Sequence, residues 1–386
     1  MSNILDIDLA ILGGGCAGLS LAKYLSYIKG YKKKTLVIEA RLEYTNDRSW
    51  CFWDPQDQHL LKDLNGLISH RWPQWQFSGN QFKITHHGKG RHYCYIPSDR
   101  FYLQAVDCIS RHPTMALKCG ISVVSVNSES NGYLIKLSDG THIVTKQIID
   151  TRPCSYTTNA QSKLWQIFYG VEIQADTPIF DPTCVGLMEH LASSPTGTQF
   201  NYILPFSKQH ALIESTVFSP QLHSPQLMAP CLHKWLQAQY HQTHFKIIRT
   251  EQGVLPMGLK MTTLTHTVTP QYTYGGQIAG AIRPATGYGF LRIQRWAHAC
   301  ALQIAQEKVV HTPVHSKKIV QAMDHIFLSV LHNEPQIGAL LFQALAQRVS
   351  PRALVRFLSD EAQYLDYVSI MRALPLKLFL RYCLKI

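Results

Sequence analysis

From residue 8 to 12 the chain reads Asp-Leu-Ala-Ile-Leu, apolar without alternation and too short for a helix. That is the pattern of a strand buried on both faces. Apolar residues then recur at helical spacing over about 17–28, and a second apolar run covers 35–39, so a strand–helix–strand unit is predicted. Over 121–151 the pattern is a meander of short apolar runs separated by Asn131-Gly132 and Asp139-Gly140. Both dipeptides favour the positive φ of tight hairpin turns. Further strands are predicted at 167–173, 202–204 and 211–215, with Pro and Gly between them. Helical spacing returns at 291–306 and again beyond 319, over 325–331, 336–347 and 351–358.

The loops between these elements carry the chemistry. Gly13-x-Gly15-x-x-Gly18 follows the first strand and opens the first helix, so backbone N–H groups at the helix start can approach a pyrophosphate. Gly13, Gly15, Ala17 and Gly18 are the candidate contacts. Glu39 ends the next strand about 20 residues on, where a carboxylate binds ribose hydroxyls; an acid there favours FAD or NAD over NADP. A second loop, Gly280-Ala-Ile-Arg-Pro-Ala-Thr-Gly-Tyr-Gly-Phe290, runs into the helical pattern at 291–306. Two such loops far apart in sequence suit a large cofactor gripped from both ends, and FAD fits that grip. Pro284, Thr286, Gly287 and Tyr288 are its candidates in the second loop.

The expected class is therefore α/β with α+β character. A Rossmann-like FAD-binding domain is expected from 1–70, 95–160 and 265–320. A β-rich substrate domain, 71–94 and 161–264, is inserted in it, and 321–386 forms a helical C-terminal segment.

Composition narrows the partners. The 37 Lys and Arg against 25 Asp and Glu leave a net charge of +12, which suits an anionic surface. The basic residues are dispersed without a recognition-helix or RNP-like pattern, so nucleic acid is not expected. No apolar run reaches the ~20 residues of a spanning helix, and no signal peptide is predicted. The ten cysteines form no C-x-x-C pair, which reads as reduced thiols. The tail mixes bulky apolar residues with Arg372, Lys377, Arg381 and Lys385. It is read equally as a helix in the lipid interface or as a terminal helix packed on the core.

Three further features stay open on residue type alone. Trp50, Phe52 and Trp53, next to Asp47 and Arg48, either wall a hydrocarbon ligand or simply fill the core, the simpler reading. Glu214 closes the apolar run Ala211-Leu-Ile213 and is either a desolvated general acid or an exposed residue on a strand's outer face. His241 with His244, and His311 with His315, have ligand spacing, but Pro313 breaks the second pair and no third ligand is apparent; no metal is expected.

Taken together these residues resemble the lycopene cyclases, flavoproteins that close the ionone rings of carotenoids, and bacterial lycopene β-cyclases most. The resemblance spans almost the whole chain. It rests on Asp8-Leu-Ala-Ile-Leu-Gly-Gly-Gly-Cys-Ala-Gly-Leu19, Asp47-Arg-Ser-Trp-Cys-Phe-Trp53 and Ile149-Asp-Thr-Arg-Pro153. Trp165-Gln-Ile-Phe-Tyr-Gly170, Phe180-Asp-Pro182, Leu187-Met-Glu189, Leu204-Pro-Phe206 and Leu212-Ile-Glu-Ser-Thr216 continue it. Glu251-Gln-Gly-Val-Leu-Pro256 and Arg283-Pro-Ala-Thr-Gly-Tyr288 complete it.

The resemblance implies the aromatic-hydroxylase type of FAD fold and places the catalytic carboxylate at Glu214. Plant members carry two successive glutamates there, whereas Ser215 follows here. It further implies reduced FAD that is required but not consumed, NAD(P)H as its reductant, and lycopene or a related linear carotenoid as substrate. Arg48 is expected at the cofactor and Trp50 and Trp53, with Tyr288, in the wall of a substrate tunnel. An apolar substrate implies a cytoplasmic protein held peripherally on the inner face of the cell membrane. One departure matters: flavin hydroxylases carry a Gly-Asp before the second loop, but Gly275-Gly-Gln-Ile-Ala-Gly280 has no Asp. That speaks against oxygen chemistry, leaving a monooxygenase or other oxidoreductase, or a non-catalytic binder, as the rival classes.

Overall fold

The computed structural model describes residues 4–153, 162–259, 268–310 and 316–383. His311, His315 and Lys385, named above, lie outside them. Among the described residues, two seven-stranded sheets and one three-stranded sheet carry the fold. In the first sheet, Met115–Lys118, Thr35–Ile38, Ile4–Leu12 and His142–Asp150 run parallel in that order. The antiparallel strands Gly132–Leu137 and Val123–Glu129 continue it. Gly132 and Gly140 take φ of 143° and 83° at the two hairpin turns, which an L side chain rarely adopts.

The first strand is longer than its apolar run. Backbone pairing with His142–Asp150 begins at Ile4, although that side chain is 64% exposed. A hydrogen-bonded ladder extends a strand beyond what side-chain burial alone would predict. The helices Cys16–Ser26, Ser98–Ser110 and Phe290–Ala305 share one apolar core with this sheet, through Leu19, Phe101 and Trp296 among others.

The strand Tyr272–Tyr274 pairs only with the last residues of His142–Asp150, Ile148 to Asp150. The meander strand occupies the earlier part, 142–145. This division of one edge brings the chain just past residue 274 back beside the first glycine loop.

The second sheet runs Phe245–Met257, Leu164–Ala175, His210–Ser219, Gly197–Pro205, Cys184–Ser194, Gln74–Gly79 and Phe82–His87. Its last hairpin comes from a part of the chain where the apolar pattern predicted no strand. Side chains alternate across each strand. Along His210–Ser219, Ala211 and Ile213 pack with Leu232 and Leu236 of the helix Ala229–Gln239. Leu212 and Phe218 belong to the opposite face, under the helices Lys318–Asn333, Gly338–Arg348 and Pro351–Leu358.

Arg283 ties the second glycine-rich loop to those helices. Its side chain is 1% exposed, and its Nε and Nη2 donate to Asp324 Oδ2 and Oδ1 at 3.1 and 3.0 Å. Nη1 donates to the Phe357 carbonyl, and the guanidinium lies 4.2 Å from the Phe357 ring centroid. Breaking a buried pair strands one charge at a cost of about 3–5 kcal/mol. Asp324→Asn is therefore expected to lower unfolding stability by about 3–5 kcal/mol in a urea titration; a loss below about 1 kcal/mol, the value of an exposed pair, would show that the tie is unimportant.

Candidate active site

The first glycine loop is built by close backbone approach. Gly13 has φ +96°, and a Cβ on Gly18 would fall on the Gly13 carbonyl oxygen. A Cβ on Gly15 would meet nothing within 4 Å, so the loop is open on that side. Gly15 caps the helix Cys16–Ser26 with no side-chain hydrogen bond. Its first-turn N–H groups are therefore left for another acceptor. Glu39, one residue past its strand, lies beside this loop: Oε2 accepts the Gly14 N–H at 2.6 Å and Oε1 accepts Arg41 N and Nε at 2.9 and 3.0 Å.

The second loop arrives against the first. Gly275 N donates to the Asp150 carbonyl at 2.8 Å, and a Cβ on Gly276 would lie 2.9 Å from Ala17 Cβ. Thr151 Oγ1 donates to the Gly13 carbonyl at 2.9 Å and closes the group. The turn from Arg283 to Tyr288 then folds on itself, Arg283 N donating to Tyr288 O at 2.9 Å. Gly287, at φ +73°, leaves room for Gln166, whose Oε1 a Cβ there would overlap.

A cavity of about 580 Å³ starts at this junction, lined by Cys16, Pro153 and Gln277. It crosses the second sheet over Gln166, Phe168, Phe200, Tyr202, Glu214 and Phe218, and it ends under Phe342, Leu345, Leu354 and Leu358. Thr286, Gly287, Tyr288 and Trp50 also line it, as does the exposed Arg48. Arg48 donates to the Asp47 carbonyl at 2.7 Å. Two expected residues stand elsewhere. Pro284 lines a separate cavity with Asp324 and Leu328, because the Arg283–Asp324 pair turns this side of the loop toward the helices. Trp53 is 1% exposed and packs behind the wall, its ring centroid 4.7 Å from Tyr93 and 5.6 Å from Tyr288.

Glu214 sits on the cavity face of its strand, and its carboxyl has no hydrogen-bond partner among the described residues. Burial holds its pKa well above the ordinary 4.5, with the nearby Glu251 raising it further and Arg249 and Arg48 opposing. A neutral carboxylic acid in an apolar cavity is a proton donor. Ser215 faces the other side of the sheet, where Gln199 Nε2 donates to it at 3.2 Å. A second acid at that position would not enter the cavity.

Several cavity residues lacked any signal in the sequence pattern. Tyr202 donates to Tyr93 at 2.9 Å, and Tyr93 lies 3.2 Å from Tyr288, so three phenols gathered from 195 residues of chain meet in one wall. Burial keeps all three protonated, each pKa being raised. Glu251 stood in one of the family-like motifs, but only sheet register shows that it reaches this cavity. His241 is exposed, and no group of three metal-ligating side chains occurs among the described residues.

A family model described as lycopene cyclase protein matches residues 8–382. The lycopene beta-cyclase of Pantoea ananas is 27% identical over 288 residues, covering 73% of this chain and 70% of that one. The chloroplastic neoxanthin synthase of Solanum lycopersicum is 23% identical over 323 residues, 79% of this chain but 62% of its own length. Among solved structures, the flavin-dependent brominase Bmp2 superposes with a TM-score of 0.63 at 13% identity, covering 99% of this chain and 100% of that one. The architecture is thus that of Rossmann-type flavoproteins of the monooxygenase and halogenase kind.

The cradle of two glycine loops fits FAD: a bare backbone turn, an uncapped helix start and a carboxylate at the next strand end. Gly18→Ala pushes a methyl into the Gly13 carbonyl, so FAD retained through gel filtration is expected to fall at least about tenfold, or 1.4 kcal/mol. Wild-type flavin absorbance in that variant would count against this cradle as the binding site.

Proposed function

Because the chain belongs to the lycopene cyclase family, we propose that it is a lycopene β-cyclase, closing the ψ-ends of lycopene to β-ionone rings without net redox change. The observation that carries the reading is Glu214: a desolvated, unpartnered carboxyl in an aromatic-lined cavity.

Ring closure starts with protonation of a very weak base, the terminal C1=C2 double bond, at C2. Neutral Glu214 supplies that proton. The C5=C6 bond then attacks the C1 cation, and loss of a ring proton to a base completes the ring, so protons balance and no electrons leave. A tertiary cation survives only where water is excluded and π faces surround it. The rings of Trp50, Phe168, Phe200 and Phe218 line the same cavity and serve that purpose. Trp53 supports this wall from behind rather than touching substrate.

FAD would be held by Gly13, Gly15, Ala17 and Gly18 at the pyrophosphate, by Glu39 at the ribose, and by Arg48, Thr286, Gly287 and Tyr288 toward the ring. When bound in its reduced form, kept so by NAD(P)H, it supplies negative charge that favours a cation. The absence of an Asp between Gly275 and Gly280 agrees with a flavin that does no oxygen chemistry.

No helix among the described residues is long and apolar enough to cross a membrane. The tail forms two helices, Tyr364–Ala373 and Leu376–Cys383, divided at Pro375. The second packs one side on the protein and leaves the other open to solvent. Tyr382 is buried, donating to Glu334 at 3.3 Å, while Leu376 and Leu380 are 62% and 51% exposed beside Lys377 and Arg381. Apolar side chains flanked by cations suit an anionic lipid surface, which supports peripheral membrane binding and access to a carotenoid. Since a buried Leu contributes about 1.5–3 kcal/mol, Leu376→Asp with Leu380→Asp should weaken sedimentation with phosphatidylglycerol vesicles at least about tenfold. Unchanged sedimentation would place the contact elsewhere.

The direct test is expression in cells that accumulate lycopene, followed by pigment analysis. Cyclic carotenes are expected, and Glu214→Gln should lower turnover by roughly 10²–10⁴-fold. Because burial raises the pKa of Glu214 above the ordinary carboxylate range, wild-type turnover should hold as pH rises through that range and fall only on passing the raised value. Oxygen uptake with stoichiometric NAD(P)H oxidation on adding substrate would instead establish a monooxygenase.

A further inference from the structure

Adjacent residues of a strand face opposite sides of a sheet, so a partner for Glu214 has to come from another strand. The register supplies one. Gly170 stands opposite Glu214 on one side and opposite Glu251 on the other, which puts all three on the same face. Gly170 has no side chain to separate them: a Cβ there would lie 2.5 Å from Glu214 Cγ. Both carboxyl groups line the same cavity.

The two are held very differently. Glu251 Oε1 accepts the Ser49 N–H at 2.8 Å, and Oε2 accepts Ser49 Oγ at 2.6 Å and Arg249 Nη1 at 2.9 Å. Arg249 is anchored in turn by Glu172, Nε to Oε2 at 2.5 Å, and Glu172 takes His210 Nε2 at 2.6 Å. Glu214 has none of these contacts. One carboxylate is locked in an ion-pair chain, and the other is free.

We infer that Glu251 is a positioning residue whose anchored negative charge, across Gly170, keeps the proton on Glu214 and so maintains the acid for ring closure. The inference rests on the reading of Glu214 as proton donor. Two carboxylates sharing a site cannot both ionise cheaply, and the one without hydrogen bonds stays neutral. The other groups facing Glu214 do not cancel this. Arg249 divides its charge between Glu251 and Glu172. Arg48 is exposed and therefore screened by water. Cys51 and Tyr202, the latter opposite Glu214 in register, are held in their neutral forms by burial, and Gly170 brings no group at all.

The test is the pH dependence of lycopene cyclisation by the full-length, FAD-loaded protein and its Glu251→Gln, Glu251→Asp and Glu172→Gln variants. Glu251→Gln keeps the size of the side chain and a carbonyl for Ser49 but loses the charge. Its alkaline limb is expected at lower pH than in the wild type, because burial alone, without the neighbouring charge, then opposes ionisation of Glu214. Glu251→Asp keeps the charge and Glu172→Gln removes a more distant one, so both should hold the limb close to wild type. An unmoved limb in Glu251→Gln, or an equal movement in Glu251→Asp, overturns the inference. Wild-type turnover in Glu214→Gln would instead sink the donor reading itself. Infrared titration of the wild type, with the protonated Glu214 band assigned by its absence in Glu214→Gln, needs neither turnover nor a folded Glu251 variant. The band should persist above the ordinary carboxylate range, and its loss near ordinary carboxylate values also overturns the inference.

Discussion

A carboxyl group taken out of bulk water and left without a hydrogen-bond donor is costly to ionise, and the rest of this structure is arranged around that constraint. Glu214 is surrounded by aromatic and aliphatic walls, and no donor within the described residues reaches it. Such a group is costly to ionise, by several kcal/mol if left unpaired. The fold accepts that cost by alternation: Leu212, Glu214, Thr216 and Phe218 share one face of the strand, and two of them anchor the apolar core above it. The acid is therefore carried on a rigid element whose packing fixes its aim.

The cofactor cradle depends on a different device, the shared edge of one strand. The meander takes the first part of His142–Asp150 and Tyr272–Tyr274 takes the last part, so a chain segment from far downstream ends beside the first glycine loop. Gly276 against Ala17 then sets the spacing of the two loops. Beyond them, the Arg283–Asp324 pair attaches the loop to the C-terminal helices that roof the cavity. Cofactor side, acid and roof are in this way mechanically continuous.

Much of this was legible in order along the chain. The parallel strands, the hairpins at Gly132 and Gly140, the helix after the second loop and the helical C-terminal part all announce themselves by period and turn chemistry, because those are local properties. The strands at 74–79 and 82–87 did not: the first is placed by pairing with Cys184–Ser194, over 100 residues away, and the second is added to the sheet through the first. Trp50 and Trp53 illustrate the same limit. They have the same side chain three strand positions apart, and so face opposite ways: Trp50 lines the cavity while Trp53 lies behind Tyr288. Nothing in residue type separates them.

Sequence by itself determined a nucleotide-binding turn and a second loop that completes it, and it offered one acid in an apolar run whose role residue type left open. The turn and the loop are set by residue type at short spacing, where backbone geometry leaves few alternatives. Tertiary structure alone decided which acids meet and which do not. Ser215, next to Glu214 in sequence, is turned away by the pleat, whereas Glu251, 37 residues on, is brought opposite by register. The same holds for Pro284, drawn off by a buried ion pair, and for the three phenols in one wall. Register and packing are collective properties of the sheets and helices, and no short stretch of chain contains them.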